Sequence, residues 1–245
     1  MNTQYTLKTL DNYTIAAIHT ISSRERLILW LHGLGMDKDE YLGFFRQGAE
    51  YLANKGFDSL RIDFRGHGSS SGTCSDFSVA GQMLDVECAI KFILETYSPE
   101  EIPLYIVGCS FSASPAIFTA LNHPDLVKGI VLVSPVLSYK RTFLDSIDFW
   151  RPMFNPRLIE EMKIVRPDLA LREVKQHVAI THGDSDSMVP YVITKEVSNQ
   201  IGIKLYSIPK MGHGFTDIND KTSMSKESQD NKIKIFDIIS ENCEF

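Results

Sequence analysis

A chain of 245 residues, 43% apolar and 23% charged, is long enough for a sizeable core and has the composition of a globular protein. The net charge of −6, with no Lys/Arg-rich run, argues against a nucleic-acid-binding surface, and no apolar run reaches membrane-spanning length. The opening MNTQYTLKTLDNYTIAAIH alternates polar and apolar residues without a basic start, so no secretory signal is expected.

Residues 4–9 and 13–21 read as two strands joined at Asp11-Asn12. The apolar run Leu27-Ile28-Leu29-Trp30-Leu31 is of strand length and runs into His32-Gly33-Leu34-Gly35. A helix is predicted over 39–54, stopped by Gly56, and then a strand over 57–64 ending in the turn DFRGHGSSSG. The most regular helical period covers 77–97, with Asp76 as its expected N-cap. Next come a strand over 104–107, a helix over 113–121 and a strand over 127–133 closed by Ser134-Pro135. A polar and aromatic insert separates these from a strand over 178–180. The chain then offers a helix after Pro190, a strand over 203–208, a polar stretch of mobile composition to about 230, and a final helix over 231–240. Hairpin first, then strand–helix alternation with wholly apolar strands, predicts an α/β fold with a mostly parallel sheet covered on both faces.

The motif at 108–112, Gly-Cys-Ser-Phe-Ser, sits where an apolar strand hands over to a helix rich in small residues. A serine there, with small residues two before and two after, describes a nucleophile elbow: the hydroxyl stands on a strained turn, neighbouring chains pass close by, and the helix N–H groups point where an oxyanion would form. The usual fifth residue is Gly, and here it is Ser112. On these five residues alone, Ser110 could equally be a helix cap. The other notable residues also fall at strand ends, where open α/β sheets bind ligands: His32-Gly33, Asp63, Asp184, Asp186 and His213. A serine needs a base and the base needs an anion, and Ser110 is followed by two acids in His182-Gly183-Asp184-Ser185-Asp186 and then by Met211-Gly212-His213-Gly214.

These motifs together resemble an α/β-hydrolase-fold serine hydrolase over almost the whole chain. HGLG resembles its oxyanion-hole loop, DFRGHGSSSG the turn of the small-esterase branch (feruloyl/cinnamoyl-esterase-like or acyl-thioesterase-like), and GDSDSMVP its acid loop. The resemblance implies about eight strands in a single domain over 1–245, with a short cap over 138–176. It also implies a triad of Ser110, Asp186 and His213, with Asp186 rather than Asp184 as the acid, and an oxyanion hole from the backbone N–H groups of Leu34 and Phe111. The expected reaction is hydrolysis of a small acyl or aryl ester through an acyl-enzyme; acyl thioester or peptide hydrolysis is an alternative, as is a non-catalytic ligand-binding protein. The cap's aromatics, Phe143, Trp150 and Phe154 among them, are candidates for an apolar substrate wall, and Pro152, Pro156 and Pro167 are expected to limit regular structure there. No cofactor or metal is expected.

Two decoys are set aside. Gly66-x-Gly68-x-x-x-Gly72 is one residue too long for a dinucleotide fingerprint, and His182, Asp184 and Asp186 lack the second histidine pair a metal would favour. Of the seven histidines, His32 is expected to bond backbone in the oxyanion loop, His67 to belong to a turn and His182 to lie under the acid loop. His19, His123 and His177 read as surface or strand-edge residues. The four cysteines have no disulfide or metal spacing and read as reduced thiols of a cytoplasmic protein, with Cys109 facing away from Ser110.

Overall fold

The computed structural model describes residues 2–98, 102–220 and 224–244. Eight strands form one sheet: β1 (Asn2–Lys8), β2 (Thr14–Thr20), β3 (Arg26–Leu31), β4 (Phe57–Ile62), β5 (Leu104–Cys109), β6 (Val127–Val133), β7 (His177–Gly183) and β8 (Lys204–Ile208). Their order is β1-β2-β4-β3-β5-β6-β7-β8; β2 runs antiparallel to both its neighbours and every other pair is parallel. Helices α1 (Phe44–Ala53), α2 (Val79–Thr96) and α3 (Ala113–Asn122) follow β3, β4 and β5. Four short helices lie between β6 and β7: α4 (Tyr139–Thr142), α5 (Ile147–Trp150), α6 (Pro156–Ile164) and α7 (Pro167–Ala170). Helices α8 (Tyr191–Ile201) and α9 (Lys226–Asn242) complete the chain. No helix among the described residues is long and apolar enough to cross a membrane.

The central strands are apolar throughout because each supplies two cores at once. In β3, Leu27, Leu29 and Leu31 face the core under α2, α3 and the β6–β7 segment, while Ile28 and Trp30 face the core under α1 and α9. In β5, Leu104 and Ile106 take the first side, and Tyr105, Val107 and Cys109 the second. Cys109 therefore packs away from the α2 and α3 face, as strand alternation predicts. No cysteine pairs with another among the described residues.

Several boundaries differ from the sequence reading for local reasons. The predicted helix over 39–54 starts only at Phe44, because Glu40, Leu42 and Gly43 all take positive φ and break the helical path. Helix α2 is capped by Ser78, whose Oγ accepts from the Gly81 N–H at 2.9 Å; Asp76 instead closes a separate 3-10 turn with Thr73. Helix α9 begins five residues earlier than predicted, at Lys226 with Ser225 as cap, so residues 226–230 at the end of the polar stretch are helical. Asp217, Asp220, Ser225 and Ser228 are joined by side-chain bonds on either side of residues 221–223, which lie outside the described residues. Pro156 and Pro167 do not prevent helix; they occupy the first turns of α6 and α7, where a missing N–H costs nothing.

His19 is a correction. It is fully buried, not at the surface, with its ring against Phe92 and Tyr97 and its Nε2 bonded to the Tyr97 hydroxyl, which itself donates to Asp58. Alternation placed it on the covered face of β2, but its polarity masked that. His123, beyond the end of α3, pairs with Glu87, and His177 opens β7 at an exposed position.

Candidate active site

Three chain segments converge beyond the carboxyl ends of β5, β7 and β8. Ser110 sits on the turn between β5 and α3 with φ of 53°, a left-handed conformation that a non-glycine residue enters at a cost of about 1–2 kcal/mol. The turn is tight because a side chain at Gly108 would overlap the Ser112 carbonyl and the Ala116 methyl. Nearly buried, Ser110 keeps its Oγ 3.0 Å from His213 Nε2. His213 Nδ1 lies 2.7 Å from Asp186 Oδ2. All three predicted residues therefore join one hydrogen-bonded chain.

Asp186 is the anchor of that chain. Its Oδ1 accepts from the backbone N–H groups of Met188 and Val189, at 3.0 and 2.9 Å. Its Oδ2 is shared by His213 and by the buried His182, whose Nε2 stands 3.1 Å away. Burial alone would raise the Asp186 carboxyl, but the bonds and charges of His182 and His213 outweigh it and hold the group far below the ordinary carboxylate range. Asp184, the alternative acid, bonds Ser185 and the Lys210 N–H instead. It organises the two loops and does not touch His213.

The loop after β3 is held from several directions. His32 bonds the Gly33 carbonyl through Nδ1 at 2.8 Å and accepts the Phe64 N–H on Nε2 at 3.0 Å. His67 bonds the Arg65 carbonyl through Nδ1 and accepts the Gly35 N–H on Nε2 at 3.2 Å. Both rings therefore serve as neutral acceptors. Burial lowers both, His32 to about 4, with the Gly33 bond opposing the shift and neighbouring His67 adding to it. For a group depressed from 6.5, the stabilising contribution is complete above pH 6.5 and is lost as pH falls towards 4. An NMR titration should find the His32 ring neutral at pH 5.5; a midpoint near 6.5 would contradict this packing. The Leu34 N–H has no acceptor among the described residues and follows Gly33, where an added Cβ would lie 3.3 Å from Ser110 Cβ; Phe111 follows Ser110 in the 3-10 turn into α3.

Ser112, the departure from the usual motif, does not crowd the elbow. Its hydroxyl donates to the His32 carbonyl and accepts from Gln82 Nε2 at 3.2 Å, tying the Ser110 turn to the loop after β3. Ser112→Gly is expected to cost about 1–2 kcal/mol in denaturant unfolding, because it strips a buried carbonyl of its donor. A gain in stability would show that this bond contributes nothing.

The cap aromatics gather in one cluster that begins at Phe111. The Phe111 ring lies 5.0 Å from Tyr139 and 6.1 Å from Phe143, and Phe143 lies 5.2 Å from both Trp150 and Phe154. Phe143 and Phe154 are buried in it; Trp150 is part-exposed and meets the exposed Phe149 edge-on. On the other side, a groove of about 420 Å³ is lined by Gly35, Met36, Tyr41, Leu42, His67 and Cys74.

Sequence reasoning missed the second histidine on Asp186, the buried Glu40 carboxylate whose Oε2 accepts the Gly33 N–H at 2.6 Å, and the Ser112 bond. The regular i, i+4 spacing of His182 and Asp186 offered a hint of the first. The decoys resolve locally. Gly68 is required because a side chain there would overlap the Asp63 carboxylate, and the acids near His182 bond backbone and imidazole.

Comparison with known proteins agrees with this architecture. A solved structure of Est1E from Butyrivibrio proteoclasticus with ferulic acid superposes with a TM-score of 0.79 at 18% identity, covering 97% of this chain and 98% of that one, which shows the α/β-hydrolase fold. The monoglyceride lipase of Mus musculus is 33% identical over 116 residues, 45% of this chain and 35% of its own length. A monoglyceride lipase homolog of monkeypox virus is 28% identical over 119 residues, 48% of this chain and 41% of its own. The chain thus matches less than half the length of either relative. Residues 22–170, spanning β3 to α7 with the Ser110 turn between them, match the Hydrolase_4 family, described as serine aminopeptidase, S33, and the chain belongs to that family.

Proposed function

We propose that this chain is a serine hydrolase that cleaves a carboxylic ester of a small acyl or aryl substrate. The observation that carries the reading is the hydrogen-bonded series Ser110 Oγ, His213 Nε2, His213 Nδ1, Asp186 Oδ2, at 3.0 and 2.7 Å. Because Asp186 holds the proton of His213 on Nδ1, Nε2 is left to take the Ser110 proton as Oγ attacks the acyl carbon. The carbonyl oxygen, now negative, turns to the N–H groups of Leu34 and Phe111. A donor of that kind is worth about 3–4 kcal/mol in the transition state. His213 then returns the proton to the leaving oxygen, and water activated by the same ring releases the acyl group from Ser110.

The cluster around Phe143, Trp150 and Phe154 supplies an apolar wall for the acyl or aryl group, reached past Phe111. A monoglyceride lipase and a monoglyceride lipase homolog among the relatives, and Est1E with ferulic acid among the solved structures, support an ester of this size. The family's description makes a peptide amide the competing substrate. The test is a panel of p-nitrophenyl esters from acetyl to long-chain and hydroxycinnamoyl, with acyl thioesters and aminoacyl p-nitroanilides beside them. Ester turnover that is lost in Ser110→Ala supports the reading. Preference for the anilides would move it to peptidase, and failure of a fluorophosphonate to label Ser110 would sink the triad.

A further inference from the structure

Glu40 is a buried carboxylate that the proposed reaction does not use. It is 7% exposed, and its backbone stands at φ 59°, ψ 177°, a region that side-chain-bearing residues rarely enter. Leu42 and Gly43 follow with positive φ as well, so the chain is bent sharply to bring this side chain inward. Every group that touches the carboxylate is a donor. Oε2 accepts the Gly33 N–H at 2.6 Å, Oε1 accepts the Tyr41 N–H at 3.1 Å, and the Cys109 thiol bonds it from the strand beneath. Gly33 lies between Glu40 and the reacting serine: a methyl group on it would come 3.3 Å from Ser110 Cβ and 3.6 Å from Glu40 Oε2.

The Gly33–Leu34 segment is where this matters. The peptide that follows Gly33 carries the Leu34 N–H, and its direction depends on how Gly33 is held. The Gly33 carbonyl is bonded by His32 Nδ1 and by the Met36 N–H, and the Gly33 N–H by Glu40, so the N–H side of this glycine is held by the Glu40 side chain. Gly33 has no side chain of its own to restrict its torsions. Resting on the hydrolase reading, we propose that Glu40 is a positioning residue for that reaction: its Oε2 locks the Gly33 N–H so that the next N–H, that of Leu34, faces the oxyanion formed at Ser110.

This role depends on reach and on an acceptor oxygen, and two variants separate them from charge. Glu40→Gln keeps the chain length and an amide oxygen for the Gly33 N–H, and gives up only the acceptor that meets the Tyr41 N–H. Glu40→Asp keeps the charge but draws the oxygens back by one methylene, out of reach of Gly33. Glu40→Gln should retain kcat within about fivefold of wild type, whereas Glu40→Asp should lose about 100-fold in kcat with KM little changed, the size of one misplaced oxyanion donor. A boronic acid that forms a tetrahedral adduct with Ser110 should lose affinity for the Asp variant by the same factor as kcat/KM, and circular dichroism should show both variants folded. A folding defect alone would lower the amount of active enzyme, and with it the apparent kcat, while leaving the boronate affinity of the remaining enzyme unchanged.

The inference is overturned if Glu40→Asp matches wild type, or if Glu40→Gln falls as far as Glu40→Asp, which would show that an acceptor oxygen within reach of the Gly33 N–H does not restore the function. Either result leaves Ser110-dependent turnover, and with it the hydrolase reading, standing. A wild-type protein with no Ser110-dependent turnover overturns both.

Discussion

Ser110→Ala is expected to reduce kcat by about 10⁵–10⁶-fold on any ester that the wild type turns over, with KM changed by no more than a few-fold. The loss is large because serine, histidine and acid act as one unit: without Oγ, neither the base nor its anion has a proton to move. The residue left behind should still bind substrate, since the Leu34 and Phe111 N–H groups belong to the backbone and remain. Steady-state kinetics with a burst measurement decides it. A wild-type burst of one product equivalent per chain that vanishes in the variant places the acyl group on Ser110. The same position carries a second expectation in the opposite sense. Ser110 is held at φ 53°, where glycine has no penalty, so Ser110→Gly should be inactive and more stable by about 1 kcal/mol, while Ser110→Ala keeps the strain. A wild type more stable than its glycine variant would mean that the elbow stores no strain.

Much of this site could be read from residue order because each part is local. The strand-to-helix turn at Gly108–Ser112 is specified by small residues that must pass close to one another, and the acid and histidine loops each follow a strand whose apolar run is plain. The choice of Asp186 over Asp184 comes from the resemblance of GDSDSMVP to the family's acid loop, and the geometry agrees with it: two residues further along the turn, the carboxylate points inward to His213 while Asp184 is spent on Lys210. What could not be read are the contacts between distant segments. Glu40 meets Gly33 because positive φ at Glu40, Leu42 and Gly43 bends 40–43 inward, and a period count over 39–54 treats those residues as ordinary helix. His19 looked like an edge residue because its partners, Tyr97 and Asp58, come from other elements. The sequence shortens helix α9 for a related reason. Its first turn is polar, and its cap, Ser225, bonds backwards to Asp220, so apolar periodicity begins too late to mark the true start.

Asp186→Asn tests the other end of the hydrogen-bonded series, and its effect follows from the donors around the carboxylate. Oδ1 accepts two backbone N–H groups, so the amide oxygen of an asparagine would be held there. The NH2 group must then occupy the Oδ2 position, facing His213 Nδ1 and His182 Nε2. His182 Nε2 also points at the Val189 carbonyl and must keep its proton, so that contact becomes donor against donor. His213 is free to respond: it moves its proton to Nε2 and accepts from the amide on Nδ1. That tautomer presents N–H to Ser110 and has no lone pair with which to take the hydroxyl proton. The expected result is a fall of about 10⁴-fold in kcat, with KM nearly unchanged. Stability should fall by about 1–3 kcal/mol at pH 7, the cost of a buried donor left unmatched at His182. The sign with pH follows from the lowered carboxyl. Its stabilising contribution is present above the ordinary value of 3.8 and is lost as pH falls below it, so the wild-type advantage over Asp186→Asn should shrink on acidification through that range. Asp184→Asn is the matched comparison. Its side chain reaches Lys210 and Ser185 but not His213, so kcat should change by less than about fivefold. If Asp184→Asn proved the more damaging of the two, the anion supporting His213 in the working enzyme would be Asp184, and the acid loop would have to rearrange to bring it there.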